Sequence, residues 1–383
     1  MNGEGSSASV RLGLLEKAVA LDPNFAEAWA TLAWARIVHW RWNTNRGDPE
    51  LREMAHQALD EAISLGPNLP HVPHAQSSFV LIEDNDLETS IDYLLKALSI
   101  DPSFSSSRRA LGSRYWTLGR LSEAQHYMEE ALSTDPRNSG TIDDLVSIYR
   151  VRNMWEKARV LTEAHMDPDQ WQQYSLAYTR YLETGDLESF VKEGKRIEDK
   201  ETFIWANFNW IDRDFQAAWL VHQNLDPDDW FVVSHYSPIG NWELQAALIN
   251  FLIGDEARYL SESAKAIAKT RKVVENHPIA VPLNWSNLAI AYALKRDRAA
   301  MESAMAIARE KASDTTRKFR YQLKVELQIA MSYAIIGDNL KAIDTLEAAS
   351  QLKSIDFFSR ELALEPIFDR LRGNPRFDAF LED

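Results

Sequence analysis

Residues 103–136 read SFSSSRRALGSRYWTLGRLSEAQHYMEEALSTDP, a span of 34 residues that runs from one Asp-Pro pair to the end of the next. Apolar and small side chains recur three and four residues apart in each half, which places them on one face of a helix. On the first predicted helix these are Leu111, Gly112 and Tyr115, and on the second they are Ala124, Met128 and Ala131. The small residues let two backbones approach closely, so the stretch predicts a helical hairpin.

Residues that stop helices mark both ends of this hairpin. Gly119 can adopt the left-handed conformation that ends a helix, so it separates the two halves. Pro136 cannot continue the second helix, and it disfavours the helical conformation at Asp135. The stretch is therefore predicted to be a helix–turn–helix unit.

The same layout returns along the chain with varying fidelity, flanking the quoted stretch at 24–67, 68–102 and 137–168 and returning near Trp285 and Ile329. A unit of this length and pattern is identified as a tetratricopeptide repeat, which stacks on copies of itself. The resemblance implies an all-α fold, a right-handed superhelix (a solenoid) of about eight or nine helical hairpins with an irregular C-terminal cap.

The copies divide the chain into successive parts. Residues 10–23 match only the second helix of a repeat, which suggests that the chain begins inside a longer protein or that another segment covers this edge. The expected parts are a disordered tail or cloning remnant (1–9), an N-terminal array (10–227), an irregular connection (228–241), a C-terminal array (242–356) and a cap (357–383).

Charge and composition exclude several classes of partner. Of 383 residues, 42 are Lys or Arg and 57 are Asp or Glu, so the net charge is −15. Such a surface repels nucleic-acid phosphates and anionic membranes, and neither is an expected partner. The chain has no cysteine, and residues 1–9 lack the apolar core of a signal peptide, so we expect a cytoplasmic protein.

Motifs for catalysis or metal binding are not found in the sequence. His71 and His74 are three residues apart, but prolines at 70 and 73 disfavour a helical pair of ligands. Asp226, Asp228 and Asp229 flank a proline turn, where acidic residues commonly cap helices. We therefore expect no cofactor, no metal and no enzymatic activity. An enzyme on an all-α scaffold stays as an alternative, which a pocket of strongly perturbed ionisable residues would favour.

The end of the chain carries a second resemblance. Residues 362–377, LALEPIFDRLRGNPRF, resemble a tail of bacterial tetratricopeptide proteins in which the repeats follow an adenylate-cyclase or a winged-helix domain. Neither of those domains is present here. The resemblance implies a regulatory region that binds a partner, and it transfers no activity.

Tryptophan and arginine side chains supply the candidate binding residues. In this repeat family, the second, fifth, ninth and twelfth positions of each first helix face a concave groove. Placing Trp29, Arg108 and Trp205 at the fourth position puts a set of polar and aromatic residues on that face. The set is Trp34, Arg109, Ser113, Trp116, Asp143, Arg150, Gln172, Trp210 and Arg213. The alternative is that the tryptophans pack against neighbouring helices.

The groove residues favour a function in protein interaction. Tryptophan anchors and arginine forks suit an extended peptide, including one that carries a carboxylate. We therefore expect a non-catalytic module that binds a protein or peptide segment. The alternative is the regulatory or sensor region of a larger bacterial signalling protein or transcription regulator. The sequence does not define the oligomeric state.

Overall fold

The computed structural model describes residues 7–42, 49–165, 170–196, 203–224, 242–276, 282–313, 318–352 and 358–382. These residues form helices and turns, which confirms the all-α prediction. They contain nine successive helical pairs, preceded by a single helix and followed by a short tail. Two compact units are present, residues 1–145 and 146–383.

Unit 1 contains the quoted stretch. Its helices are α1 (Ser7–Leu21), α2 (Ala26–Trp42), α3 (Pro49–Leu65), α4 (His71–Phe79, continued by a π turn to Asp84), α5 (Leu87–Ile100), α6 (Ser105–Thr117), α7 (Leu121–Thr134) and the first half of α8 (Ser139–Val151). α1 begins inside the segment expected to be disordered, and residues 1–6 lie outside the described ones.

Unit 2 contains the rest of α8, then α9 (Trp155–His165), α10 (Gln170–Thr184), α11 (Leu187–Gly194), α12 (Phe203–Ile211), α13 (Phe215–His222), α14 (Trp242–Ile253), α15 (Glu256–Asn276), α16 (Pro282–Leu294), α17 (Arg298–Ser313), α18 (Lys318–Ile335) and α19 (Asn339–Ser350). A tail of α20 (Phe358–Leu364), a 3-10 turn (Pro366–Leu371) and α21 (Pro375–Glu382) follows. The expected irregular connection at 228–241 lies outside the described residues.

The crossing of α6 and α7 explains the small residues of the quoted stretch. Leu111, Met128 and Ala131 are buried to 1% exposure or less. A methyl group added at Gly112 would come within 2.7 Å of the Met128 side chain. Glycine therefore lets the two helices approach closely, as the sequence predicted.

The turns inside many pairs share one arrangement, in which a residue with a left-handed backbone precedes an aspartate that caps the second helix. The sets are Asn85–Asp86, Gly185–Asp186, Arg213–Asp214 and Gly337–Asp338. Each aspartate accepts a hydrogen bond from the backbone N–H three residues later, as with Asp86 and Thr89 at 3.0 Å. This bond satisfies one of the donors that a helix start leaves unpaired.

An aromatic cluster lies at the centre of α10–α12 in unit 2. Tyr174, Tyr178, Phe190 and Phe208 are all buried, and neighbouring rings lie 5.0 to 6.2 Å apart. Gly194 makes room for this cluster, because a methyl group there would collide with the Phe208 ring. Rings at these separations add edge-to-face and offset-stacked attraction to the burial of apolar area.

Within the described residues, none of the helices has the length and apolar character needed to cross a membrane.

Candidate interaction site

Three predicted groove residues lie on one face of α6, which we call the α6 face: Arg109, Ser113 and Trp116. They are spaced four and three residues apart, so their side chains follow one another along the helix. All three are partly exposed, whereas Leu111 and Tyr115 on the other side of α6 are buried. The packing of α6 on α7 therefore leaves the α6 face available for contacts.

The guanidinium of Arg109 is held in place by the next first helix. Its Nη2 donates to the Asp144 carboxylate of α8 at 3.0 Å. A methyl group at Gly140 would lie 2.6 Å from Nη2, so glycine makes room for the arginine. Nε is buried and has no partner among the described residues. The side chain is still 42% exposed, so one edge of the guanidinium is fixed while the group remains accessible.

The sequence predicted Asp143 as a groove residue and did not indicate Asp144, whose carboxylate accepts from Arg109. Asp143 is exposed on α8, one residue before the carboxylate that pairs with Arg109. Adjacent helical residues point about 100° apart, so only one of the two can face α6. The repeat pattern places both on the same turn, and the choice between them depends on how α8 is rotated against α6.

Trp34 on α2 is partly buried against neighbouring helices of unit 1. Its ring centroid lies 6.4 Å from that of His74 on α4, and the Arg11 guanidinium of α1 lies 5.9 Å from the Trp34 ring. It also packs against the core formed by Leu32 and its neighbours. These contacts favour the packing alternative for Trp34, with part of its ring left exposed.

His74 lies beside Trp34 and is one of the two histidines considered as metal ligands. Its Nδ1 lies 3.1 Å from the Ser107 hydroxyl, and its ring is edge-on to Phe104 at 5.5 Å. Burial, with a smaller effect from the Arg114 charge, lowers the pKa of His74 to about 3. The imidazole is therefore neutral at physiological pH. Among the described residues there is no group of three or more His, Cys, Asp or Glu side chains placed to hold a metal ion.

Two of the predicted residues in unit 2 bond to neighbouring helices. Arg150 at the end of α8 donates from Nε to the Thr179 hydroxyl at 2.9 Å and from Nη2 to the Ser175 carbonyl at 2.7 Å. Gln172 on α10 donates from Nε2 to the Thr162 carbonyl of α9 at 3.3 Å. Both side chains therefore link adjacent helices within the chain.

The other two predicted residues in unit 2 contact the tail. Arg213 donates from Nε and Nη2 to the two carboxylate oxygens of Asp369 at 2.9 and 2.8 Å. Trp210 packs beside Glu365, which is 7% exposed. Neither Trp210 Nε1 nor Glu365 Oε2 has a partner with hydrogen-bond geometry among the described residues, although the indole lies near enough to affect the carboxyl group.

Glu365 itself was not recognised from the sequence. Burial raises its pKa to about 8, while Trp210 and the charge of Arg213 oppose the rise. Arg213 also forms an ion pair with Asp369. Burial alone would raise the pKa of Asp369, but its hydrogen bonds to Arg213 and Arg372 lower it overall. A sequence gives no sign of which acidic residue in LEPIFD is buried.

The successive packed pairs of helices show that the chain is an all-α protein built from repeated helical pairs. A family model described as "Tetratricopeptide repeat" matches residues 110–138, which include most of the α6 face. These residues thus contain a tetratricopeptide repeat. Such repeats generally mediate protein interaction and are typically non-catalytic.

A search of curated proteins gave no significant match. Among solved structures, the complex titled "Structure of Naa15/Naa10 bound to HypK-THB" matches at 14% identity over 97% of this chain and 67% of that one, with a TM-score of 0.28. The "P58(IPK) TPR Domain" matches at 14% identity over 96% of this chain and 98% of that one, with a TM-score of 0.24. Neither the family match nor these two structures links the chain to cyclase-linked or winged-helix-linked regulators.

Proposed function

We propose that unit 1 binds an extended protein or peptide segment, without catalysis, along the α6 face and the neighbouring surface that carries Trp34 and Asp143. The observation that supports this most is the pairing of a positioned, accessible arginine with a partly exposed tryptophan on the same helix face. Arg109 is fixed at one edge by Asp144 and is 42% exposed.

The chemistry of these side chains suits a segment that carries an apolar side chain and a carboxylate. Trp116 offers a large rigid surface of the type that dominates binding energy in interfaces. The guanidinium of Arg109 suits a carboxylate, because its planar fork can donate two parallel hydrogen bonds. Ser113 lies between them and can donate to or accept from the segment's backbone.

The four predicted groove residues of unit 2 are not included in this proposed site. Arg150 and Gln172 link helices, and Trp210 and Arg213 contact the tail. The proposed site therefore consists of residues of unit 1 alone: Arg109, Ser113 and Trp116 on the α6 face, with Trp34 and Asp143 on the neighbouring surface. We expect binding of about micromolar strength, since a few such anchors support an energy of about −8 kcal/mol.

Selection from a displayed peptide library on the full chain tests this proposal. Enriched peptides are then titrated against Arg109→Ala and Trp116→Ala by calorimetry, with Arg137→Ala as the control, because Arg137 is an exposed arginine in the turn after α7. We expect each α6 variant to weaken binding about tenfold, as truncation of an interface anchor does, and the control to leave it unchanged. Peptides that bind both α6 variants as tightly as the parent chain would refute the assignment.

A further inference from the structure

The tail of the chain contacts helices that come much earlier in the sequence of unit 2. The Tyr181 hydroxyl of α10 donates to the Arg360 carbonyl at 2.6 Å, across 179 positions of sequence. Arg213, in the turn after α12, holds both oxygens of Asp369 and also donates from Nη2 to the Ala363 carbonyl at 3.1 Å. The first half of the tail is therefore fixed to α10 and α12.

The 3-10 turn of the tail contacts two further helices, α14 and α18. Arg370 lies with its guanidinium 5.4 Å from the Phe251 ring of α14. Its Nη1 donates to the carbonyls of Ala334 and Ile335 at 2.5 and 3.2 Å, where α18 ends. The last carbonyls of a helix lack intrahelical partners. Here the Gly337 backbone N–H donates to the Ala334 carbonyl at 3.1 Å, and Arg370 supplies a further donor to it and to the Ile335 carbonyl.

α10, α12, α14 and α18 are each the first helix of a pair, and we call the surface that they present to the tail the first-helix face. In a stacked array each helical pair contacts mainly the neighbouring pairs, and a terminal cap covers the last pair. α21 does this, since Arg376 pairs with Asp344 and Glu347 of α19. The stretch from Arg360 to Arg370 instead crosses several pairs, as a bound segment would.

The contacts of this stretch combine apolar burial with carboxylate recognition. Ile367, Phe368 and Leu371 are exposed by 2% or less and pack into the core of α14–α19, while Leu364 joins the aromatic cluster of α10–α12. Next to Phe368 in sequence, Asp369 takes the two-pronged bond from Arg213. An aromatic residue followed by a carboxylate is thus the pattern that this surface accepts.

We propose that the first-helix face of unit 2 is a segment-binding surface that the chain's own tail occupies. A protein partner of this surface must displace the tail and must offer an aromatic side chain with an adjacent carboxylate. This surface involves different helices from the site proposed in unit 1, so the failure of either proposal leaves the other standing.

The test separates the tail from the array without removing it. A specific protease site is placed between Leu352 and Phe358 of the full chain and cut after folding, and a fluorescent peptide of residues 358–382 is added. The chain's own tail carries Asp369→Asn so that it is the weaker competitor. We expect saturable uptake of the labelled wild-type peptide, and about tenfold weaker uptake of a labelled peptide that carries Asp369→Asn, because a charge-assisted fork is lost.

Two further variants assign the effect to Arg213. Its backbone is left-handed, with a φ of 65°, so Arg213→Gly removes the guanidinium without straining the turn. Arg296→Gly is the matched control, because Arg296 occupies the same place in the turn before α17 with a φ of 57° and pairs with Glu256. We expect Arg213→Gly to abolish the difference between the two peptides and Arg296→Gly to preserve it.

Three results would overturn the proposal. Absence of peptide uptake with helicity retained would mean that the tail is a fixed cap. Loss of helicity on cutting would mean that the tail is part of the folding core. Equal uptake of both peptides by the chain with Arg213 would mean that the surface does not recognise the carboxylate.

Discussion

Replacing Glu365 with glutamine should stabilise the attachment of the tail, and increasingly so as the pH rises from 4.5 to 8. Glu365 is 7% exposed, and the pKa of its carboxyl group is about 8 in the fold, against 4.5 for the ordinary group. Above pH 4.5 the unfolded chain releases this proton while the fold retains it, so folding must take a proton up from solution. Stability is therefore lost between pH 4.5 and 8 and changes little above that range.

The size of the effect follows from the difference in pKa. Each unit of pH in this window costs about 1.4 kcal/mol, so the wild-type chain has lost about 3 kcal/mol at pH 7. Glutamine has a similar size and does not ionise, so Glu365→Gln should gain up to that amount at pH 7 and almost nothing at pH 4.5.

Hydrogen exchange of the backbone amides of residues 362–371 measures this locally, which avoids assuming that both units unfold together. The control is Glu310→Gln, because Glu310 is exposed on α17 and surface changes of this kind stay within about 0.5 kcal/mol. If the advantage of Glu365→Gln does not grow with pH, or if the variant is less protected at pH 8 than the wild type, the carboxyl group is ionised in the fold and the reasoning fails.

Two other changes give clear expectations. Burial lowers the pKa of His74 to about 3 from 6.5, so stability is lost as the pH falls below 6.5, because the unfolded imidazole gains a proton that the fold excludes. Between pH 7 and 5 the free energy of unfolding of unit 1 should fall by about 2 kcal/mol more in the wild type than in His74→Gln; equal falls in a denaturant series would show that His74 is charged in the fold. Gly112→Ala should destabilise by about 1–3 kcal/mol through overpacking against Met128, whereas Gly13→Ala on α1, where an added methyl group meets nothing within 4 Å, should stabilise by about 0.5–1 kcal/mol. Thermal unfolding of both glycine variants checks this, and a stable Gly112→Ala chain would mean that the crossing is looser than described.

The sequence by itself determined the helices and their pairing. Leu111, Gly112 and Met128 could be assigned to a crossing of two helices because helical spacing and residue size act over a few residues. Turn residues such as Gly119 are local for the same reason. The α6 face was also predictable, since Arg109, Ser113 and Trp116 follow from the period of a single helix.

Only the tertiary structure decided what those side chains contact. Arg109 pairs with Asp144 rather than Asp143 because of the rotation of α8, which no local spacing fixes. Arg213 was predicted for a groove that binds a partner, yet it holds Asp369 of the same chain, 156 positions away. Helices form from interactions between near neighbours in sequence, whereas ion pairs and buried charges depend on which distant segments the packed helices bring together.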